Sequence, residues 1–515
     1  MQIRQTPEPV LSCGKPWTVR SLFAFSIDGI LQLSGQLCHI QFSDRQFYTW
    51  HMKQKAIRQV DYGSGSIFKA VMLAAGPMVF AQILSLLYNI VDRMYIGRIP
   101  GEGASALAGI GLCFPVMSLI TAFANLYGSG GAPLAAMEYG RGNDKEAGLY
   151  LNASFLLTVT TGLVLTAVCE LFAAPVLTLF GARGNSLQAG LAYLRPVLLG
   201  TVFSMTALTM NPYINAQGFP AAGMMTVLIG AVLNICLDPV FIFLLGWKIR
   251  GAAAATVLSQ VVSALFVLRF LTGSSAAQKL SPDLMKTGLD RQRVVRITSL
   301  GLATFIMQVT NSLVQAAASS TLAIYGGDLY ISVMTIVASV RQIVETPLSG
   351  VGDGAGPVMS FNYGAANFSR LKKAIAIMTG LSLGYAALIW GLILLFPAFF
   401  TGLFSSDKTL CQTAVTGLHV YFFAFVFQAL QFSGQTVFKS LGKRSQAIFF
   451  SLFRKVILVV PLTLWLPRQF GVLGVFAAEP VSNVLGGLVC YSVMYWTVLR
   501  KIPSSRYKQA DMRTE

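Results

Sequence analysis

Two aspartates sit where acids are rare. In "LYNIVDRMYIG" Asp92 lies among Leu, Ile, Val and Met, with Tyr88 four residues and Asn89 three residues before it. In "GAVLNICLDPVFIF" Asn234 and Asp238 are again four apart, and Pro239 loosens the helix just after the acid. Spacings of three and four put side chains on one helix face. Asp and Asn oxygens are the hard ligands Na⁺ prefers, and an Asp beside another acid in a low dielectric can hold a proton near neutral pH. Asp92, Asn89, Asn234 and Asp238 are therefore candidates for ion coupling by Na⁺ or H⁺, with Asp92 charged in one state and neutralised in another. A plainer reading stays open for each acid: Asp92 pairs with Arg93, and Asp238 is satisfied by Asn234 and by backbone freed at Pro239.

The elements that must position these acids are apolar. Of 515 residues, 54% are apolar and 11% charged, against about a quarter charged in soluble domains. A membrane-crossing helix needs about 20 mostly apolar residues. Twelve runs qualify: 68–96, 104–127, 149–172, 189–214, 224–246, 251–272, 297–324, 330–352, 375–400, 415–438, 446–467 and 472–498. They lack strict two-residue alternation, which argues for helices over a β-barrel. The expected fold class is an all-α polytopic membrane protein.

A net charge of +18 would suggest nucleic acid in a soluble chain. Here the basic residues are dispersed. Arg98, Arg183, Lys248, Arg250, Lys408 and Arg468 fall in one set of loops, while most of the others fall in the opposite set and the termini. That asymmetry places both termini in the cytoplasm and leaves no role for nucleic acid. The seven cysteines form no CxxC pair, and the three histidines, His39, His51 and His419, have no ligand spacing. No disulfide framework, metal, cofactor or enzyme chemistry is expected. Residues 1–60 read as an extension of unknown role, and "KQKAIRQVDYGSGS" after Met52 is a short basic leader from which a natural start at Met52 is one option.

The chain repeats itself at an offset of about 224 residues. "GGAPLAAMEYGRGN" lies over "GAGPVMSFNYGAAN", pairing Pro133 with Pro357, Tyr139 with Tyr363, Gly140 with Gly364 and Asn143 with Asn367, and the same offset carries Gly218 onto Gly442. Each half holds six spans, so both enter the membrane from the same side, as parallel repeats. The expected organisation is an amino-terminal lobe at 61–272, a polar basic linker at 273–296, a carboxyl-terminal lobe at 297–500 and a basic tail at 501–515. Two like-oriented bundles that rock against each other suit alternating access.

The second half offers uncharged polar stripes instead of an acid pair. Gln308, Asn311 and Gln315 share one face of span seven, and Gln428, Gln431 and Gln435 share one face of span ten. Such stripes line a substrate path or join helices to one another. Arg341 and Glu345 read as a structural pair four apart, and Glu479, before Pro480, as shaping a helix end or a cavity mouth. "GSGGAP" and "GVGDGAGP" lack the Lys and Ser/Thr of a phosphate loop and read as span ends with tight turns.

"GPMVFAQILSLLYNIVDRMYIGRI", "GGAPLAAMEYGRGN", "NAQGFPAAG", "LNICLDPVFIF", "GAAAATVLSQ" and "GPVMSFNYGAAN", in that order, resemble the multidrug and toxic compound extrusion (MATE) transporters, and "EPVSN" resembles the "EP" signature of a bacterial branch. The resemblance spans about 62 to 500. It implies a V-shaped pair of six-helix lobes in a bacterial plasma membrane that exports cationic or amphiphilic small molecules in exchange for Na⁺ or H⁺. By motif match the family's coupling acids fall on Asp92 and Asp238, with Asn234 beside the second. In "NPYINAQG" Asn211 matches the family pattern and joins the substrate-path candidates Gln308, Asn311, Gln315, Gln428 and Gln431, whereas Pro212 and Asn215 depart from it. The implied partners are an amphiphilic substrate and membrane lipid, with the chain acting as a monomer. The alternative is a lipid-linked oligosaccharide flippase of related fold, whose cavity needs several Arg or Lys for a pyrophosphate. A channel would pass substrate without a counter-ion.

Overall fold

The computed structural model describes residues 59–404 and 407–503. The expectations for residues 1–58 and 504–515 lie outside the described residues. Within them the chain is helical. Caps set the starts: the Ser66 hydroxyl accepts from the Lys69 amide before α1 (Ile67–Gly97). α2 (Gly103–Gly140) and α3 (Asp144–Leu179) follow, the latter capped by Asn143 accepting from the Glu146 amide. Such caps satisfy amides that the helix itself leaves open.

The fourth span is not one helix. α4 (Gly184–Leu199) and α5 (Thr201–Ala216) meet at Gly200 with a bend of 58°. Then come α6 (Pro220–Pro239), α7 (Lys248–Thr272) and a short linker helix, α8 (Pro282–Gly288). α6 continues past Pro239 as a π-helical turn, Val240–Leu244, so the helix loosens where the sequence predicts. The second half runs α9 (Arg291–Tyr325), α10 (Gly327–Gly364), α11 (Phe368–Leu395), the short α12 (Pro397–Gly402), α13 (Lys408–Phe422) and α14 (Phe425–Ser440). It ends with α15 (Arg444–Leu452), a π-helical stretch Phe453–Val459, α16 (Val460–Trp465), α17 (Pro467–Phe470) and α18 (Val472–Met494). α13 and α14 are bent by 47°. Among the described residues ten helical segments are long and apolar enough to cross a membrane, and with the two bent pairs counted as spans the total is twelve. The continuous runs expected at 189–214 and 415–438 are thus corrected to broken spans. The breaks fall one repeat apart.

A second correction concerns the glycine-rich pieces. "GSGGAP" lies inside α2 and "GVGDGAGP" inside α10, as unbroken helix rather than turns. Their glycines serve close packing between the halves: a Cβ on Gly130 would lie 2.2 Å from the Ile297 carbonyl oxygen, and one on Gly354 would lie 2.4 Å from Ala75 Cα. The seam continues beyond them at Gly140 and Gly364. A Cβ on Gly140 would lie 2.1 Å from the Phe361 carbonyl oxygen, and one on Gly364 would lie 1.9 Å from that of Met137. Met137 and Phe361 are themselves one repeat apart. This is the reciprocal contact expected of a two-fold-related pair. The turns that follow differ: Gly142 has φ 75°, and its counterpart Ala366 takes φ 51° with a side chain attached.

The leader before α1 joins both halves. The Tyr62 hydroxyl donates to the Asn215 carbonyl at 2.8 Å, while the Tyr62 carbonyl accepts from Asn362 at 2.9 Å and from Arg370 at 3.1 Å. Asp61 tightens the turn by accepting from the Gly63 amide and the Ser64 hydroxyl, and the latter bond, set against burial, holds its carboxyl below the usual range.

Candidate ion and substrate sites

α1 and α6 pack along each other, which carries Tyr88 and Asp92 toward Asn234 and Asp238. The carboxyl groups of Asp92 and Asp238 come within hydrogen-bonding reach. Asp238 is fully buried and Asn234 nearly so. Asn234 Nδ2 donates to Asp238 Oδ1 at 3.3 Å and lies 3.4 Å from Thr256 Oγ1 of α7. Tyr193 of α4 is buried beside the same threonine. Asp92 Oδ1, Asn234 Oδ1 and Asp238 Oδ2 are buried with no hydrogen-bond partner. Buried acceptors without donors are costly. Two carboxyl groups so close, with oxygens left over, suit a shared proton or a hard cation between them.

The plainer pairing of Asp92 with Arg93 does not appear among the ion pairs of the described residues, and Arg93 is exposed. Asn89 is placed apart from the cluster: it is exposed and donates to the Ser85 carbonyl at 2.6 Å. Sequence reasoning did not find Tyr193 and Thr256, because a lone Tyr or Thr in an apolar run carries no periodic signal.

Beside this cluster lies a cavity of about 640 Å³ between the halves, with Asn234 and Tyr88 on its wall. Asn211 and Gln308 line it as well. Asn211 donates to the Gly223 carbonyl at 2.7 Å and accepts from Asn215 at 3.1 Å, while Gln308 keeps a buried, unpartnered Oε1. Asn311 and Gln315, further along α9, fall outside the lining, and Gln315 is exposed. Gln428 and Gln431 also sit behind the wall: Gln428 donates to Glu345 at 2.5 Å, and Gln431 is buried between helices. Among the residues lining the cavity, the charged ones are Glu345, Asp353 and Lys439.

The second half buries its own charges. Arg454 and Lys455, adjacent on the π-helical stretch, both reach Glu479 Oε1, at 3.2 and 3.4 Å. Arg454 also donates to Asn483. Glu479 is buried in mid-helix on α18, so the expectation that it shapes a helix end or cavity mouth is corrected to an internal ion cluster. Arg341 lies 3.9 Å from Glu345, as the spacing of four predicts.

Comparison with known proteins agrees with this architecture. Multidrug export protein MepA of Staphylococcus aureus (strain NCTC 8325 / PS 47) is 24% identical over 430 residues, covering 83% of this chain and 94% of its own. MepA of Staphylococcus haemolyticus (strain JCSC1435) is 24% identical over 436 residues, 84% and 95% of the two chains. Among solved structures, a MATE protein in complex with MaL6 superposes with a TM-score of 0.81 at 22% identity, over 86% of this chain and 99% of its own. A MOP superfamily transporter from Pyrococcus furiosus Vc1 (DSM3638), described as having a binding pocket of reversed polarity, gives 0.80 at 22% identity, over 85% and 98%. The MatE family model matches twice, at residues 77–240 and 303–465, one copy in each half. A fold of twelve paired spans and two family matches in the register of its internal repeat lead to one conclusion: the chain belongs to the MatE family.

Proposed function

We propose that the chain is a secondary antiporter that exports cationic or amphiphilic small molecules by alternating access in exchange for Na⁺ or H⁺. The observation that carries this reading is the Asp92–Asp238 pair with three partnerless buried oxygens beside a cavity between the halves. A cation or proton bound there neutralises the pair and changes the cost of packing α1 against α6. The bound and empty forms therefore favour different arrangements of the helices around the cavity. The names of the MepA relatives, multidrug export proteins, support an amphiphilic substrate.

In this reading the lobes 61–272 and 297–500 rock about the linker at 273–296, with both termini cytoplasmic, as a monomer in a bacterial plasma membrane. Asp92, Asn234 and Asp238 hold the coupling ion, and Asn211 and Gln308 face substrate. Gln428 and Gln431 support neighbouring helices instead, and Asn89, Asn311 and Gln315 lie off both sites. The flippase alternative is disfavoured by the wall itself, where Lys439 is accompanied by two acids rather than by several cations.

The test is efflux of a fluorescent cationic dye from a pump-deficient host under imposed Na⁺ and pH gradients, with Asp92→Asn and Asp238→Asn alongside. Gradient-driven efflux in the wild type, lost in both variants, is the expected result, and the effective gradient identifies the ion. Correctly inserted wild type that moves no dye would sink the proposal.

A further inference from the structure

The motif "GVGDGAGP" holds an acid that the ion pair does not use. Gly350 and Gly354 face α1, where an added Cβ would lie 2.6 Å from Val79 Cα and 2.4 Å from Ala75 Cα. Gly352 faces α14, where a Cβ would meet Phe432 Cζ at 2.7 Å. The missing side chains let α10 wedge between a helix of the first half and one of the second. Asp353 is carried on that wedge. Its side chain is accessible, and the space it reaches is the cavity.

Two groups attend this carboxylate. Gln82 Nε2, from α1 in the opposite half, donates to Asp353 Oδ2 at 3.0 Å. Lys439, on α14, lines the same cavity in electrostatic range of Asp353, without an ion pair to it among those of the described residues. The other acid of the wall is already engaged: Glu345 accepts from Gln428 at 2.5 Å and has Arg341 at 3.9 Å. Asp353 is therefore the wall acid whose counter-charge sits on a long, flexible ammonium side chain. Such a side chain fills a site as a point charge and can withdraw from it.

We propose that Asp353 receives the cationic group of the substrate, an ammonium or amidinium on an amphiphile, that Lys439 is its resident counter-ion in the empty cavity, and that Gln82 orients the carboxylate from the opposite half. This rests on the exporter reading. An uncompensated carboxylate at this depth is costly, so Lys439 neutralises the cavity between cycles and an entering cation competes with it. A neutral amphiphile leaves the pair intact. Asp353 then discriminates substrates by charge, separately from the ion held at Asp92 and Asp238.

The experiment measures binding of ethidium and of uncharged progesterone to the full-length protein in lipid nanodiscs. Asp353→Asn should weaken ethidium by about tenfold or more and leave progesterone within about twofold. Lys439→Met, which removes the competitor, should tighten ethidium by a few-fold. If Asp353→Asn fails to fold because it leaves Lys439 unpaired, the double variant Asp353→Asn/Lys439→Met removes both charges and should lose discrimination between the two ligands. Unchanged ethidium binding in Asp353→Asn or in the double variant would overturn the inference. So would Lys439→Met weakening ethidium as much as Asp353→Asn, since that marks a structural ion pair. A wild type that exports no dye and binds neither ligand would instead remove the exporter reading beneath it.

Discussion

The two halves share one architecture and bury charge in opposite ways. In the first, two acids meet with no ion pair to a cation among the described residues and three oxygens left without donors. In the second, two cations converge on one acid, with Asn483 taking a further guanidinium bond. At the repeat offset, Asp92 and Asp238 correspond to Ala316 and Leu462, and Arg454, Lys455 and Glu479 to Gly230, Ala231 and Ala255. Each half thus carries charge where the other is small or apolar. A cluster closed by its own partners stabilises one packing, whereas an open one depends on something that comes and goes.

The largest expected effect lies in the open cluster. Asp92→Asn and Asp238→Asn should abolish gradient-driven dye efflux while thermal unfolding in detergent stays near the wild type, since each removes a buried like-charge contact. In the closed cluster the order should reverse. Glu479→Gln strands two buried cations and should cost about 3–5 kcal/mol in chemical unfolding, with Lys455→Met restoring part of it. If Glu479→Gln folds normally and only uncouples transport, the second cluster is functional and the contrast between the halves fails.

The seam should behave symmetrically. Gly140→Ala and Gly364→Ala each drive a Cβ into the facing carbonyl and should each destabilise by about 1–3 kcal/mol, measured by thermal shift in one detergent. Unequal effects would show that the reciprocal contact matters to one half only. The smallest change is Ala366→Gly, which gives the second half the residue type of Gly142 and relieves a left-handed Ala. A gain of about 1 kcal/mol or less is expected from the same unfolding assay.

Much of the candidate site was legible. Spacing of four placed Asn234 beside Asp238, and the contrast with apolar surroundings marked Asp92. Asn89 shows the limit of the same rule. It is three residues from Asp92, yet its amide turns back to the Ser85 carbonyl. A helix face is broad enough that a residue on its edge is decided by local backbone acceptors. The Gln stripes show the same limit: Gln308 lines the cavity, but periodicity shows only that Gln428 and Gln431 share a face, not whether that face meets the cavity or a neighbouring helix.

By itself the sequence determined the membrane class, the number of spans and the duplication, because lipid demands long apolar helices and a repeat leaves Pro, Gly, Tyr and Asn in register. It also marked Asp92, Asp238 and Glu479 as unusual charges, though not Arg454, Lys455 or Asp353. Tertiary structure alone decided their partners. Asp92 meets Asp238 across about 150 intervening residues, Arg454 and Lys455 share Glu479, and glycines that read as turns became the contact surface that places Asp353. Local periodicity fixes direction around one helix axis, while partnership depends on how two axes cross.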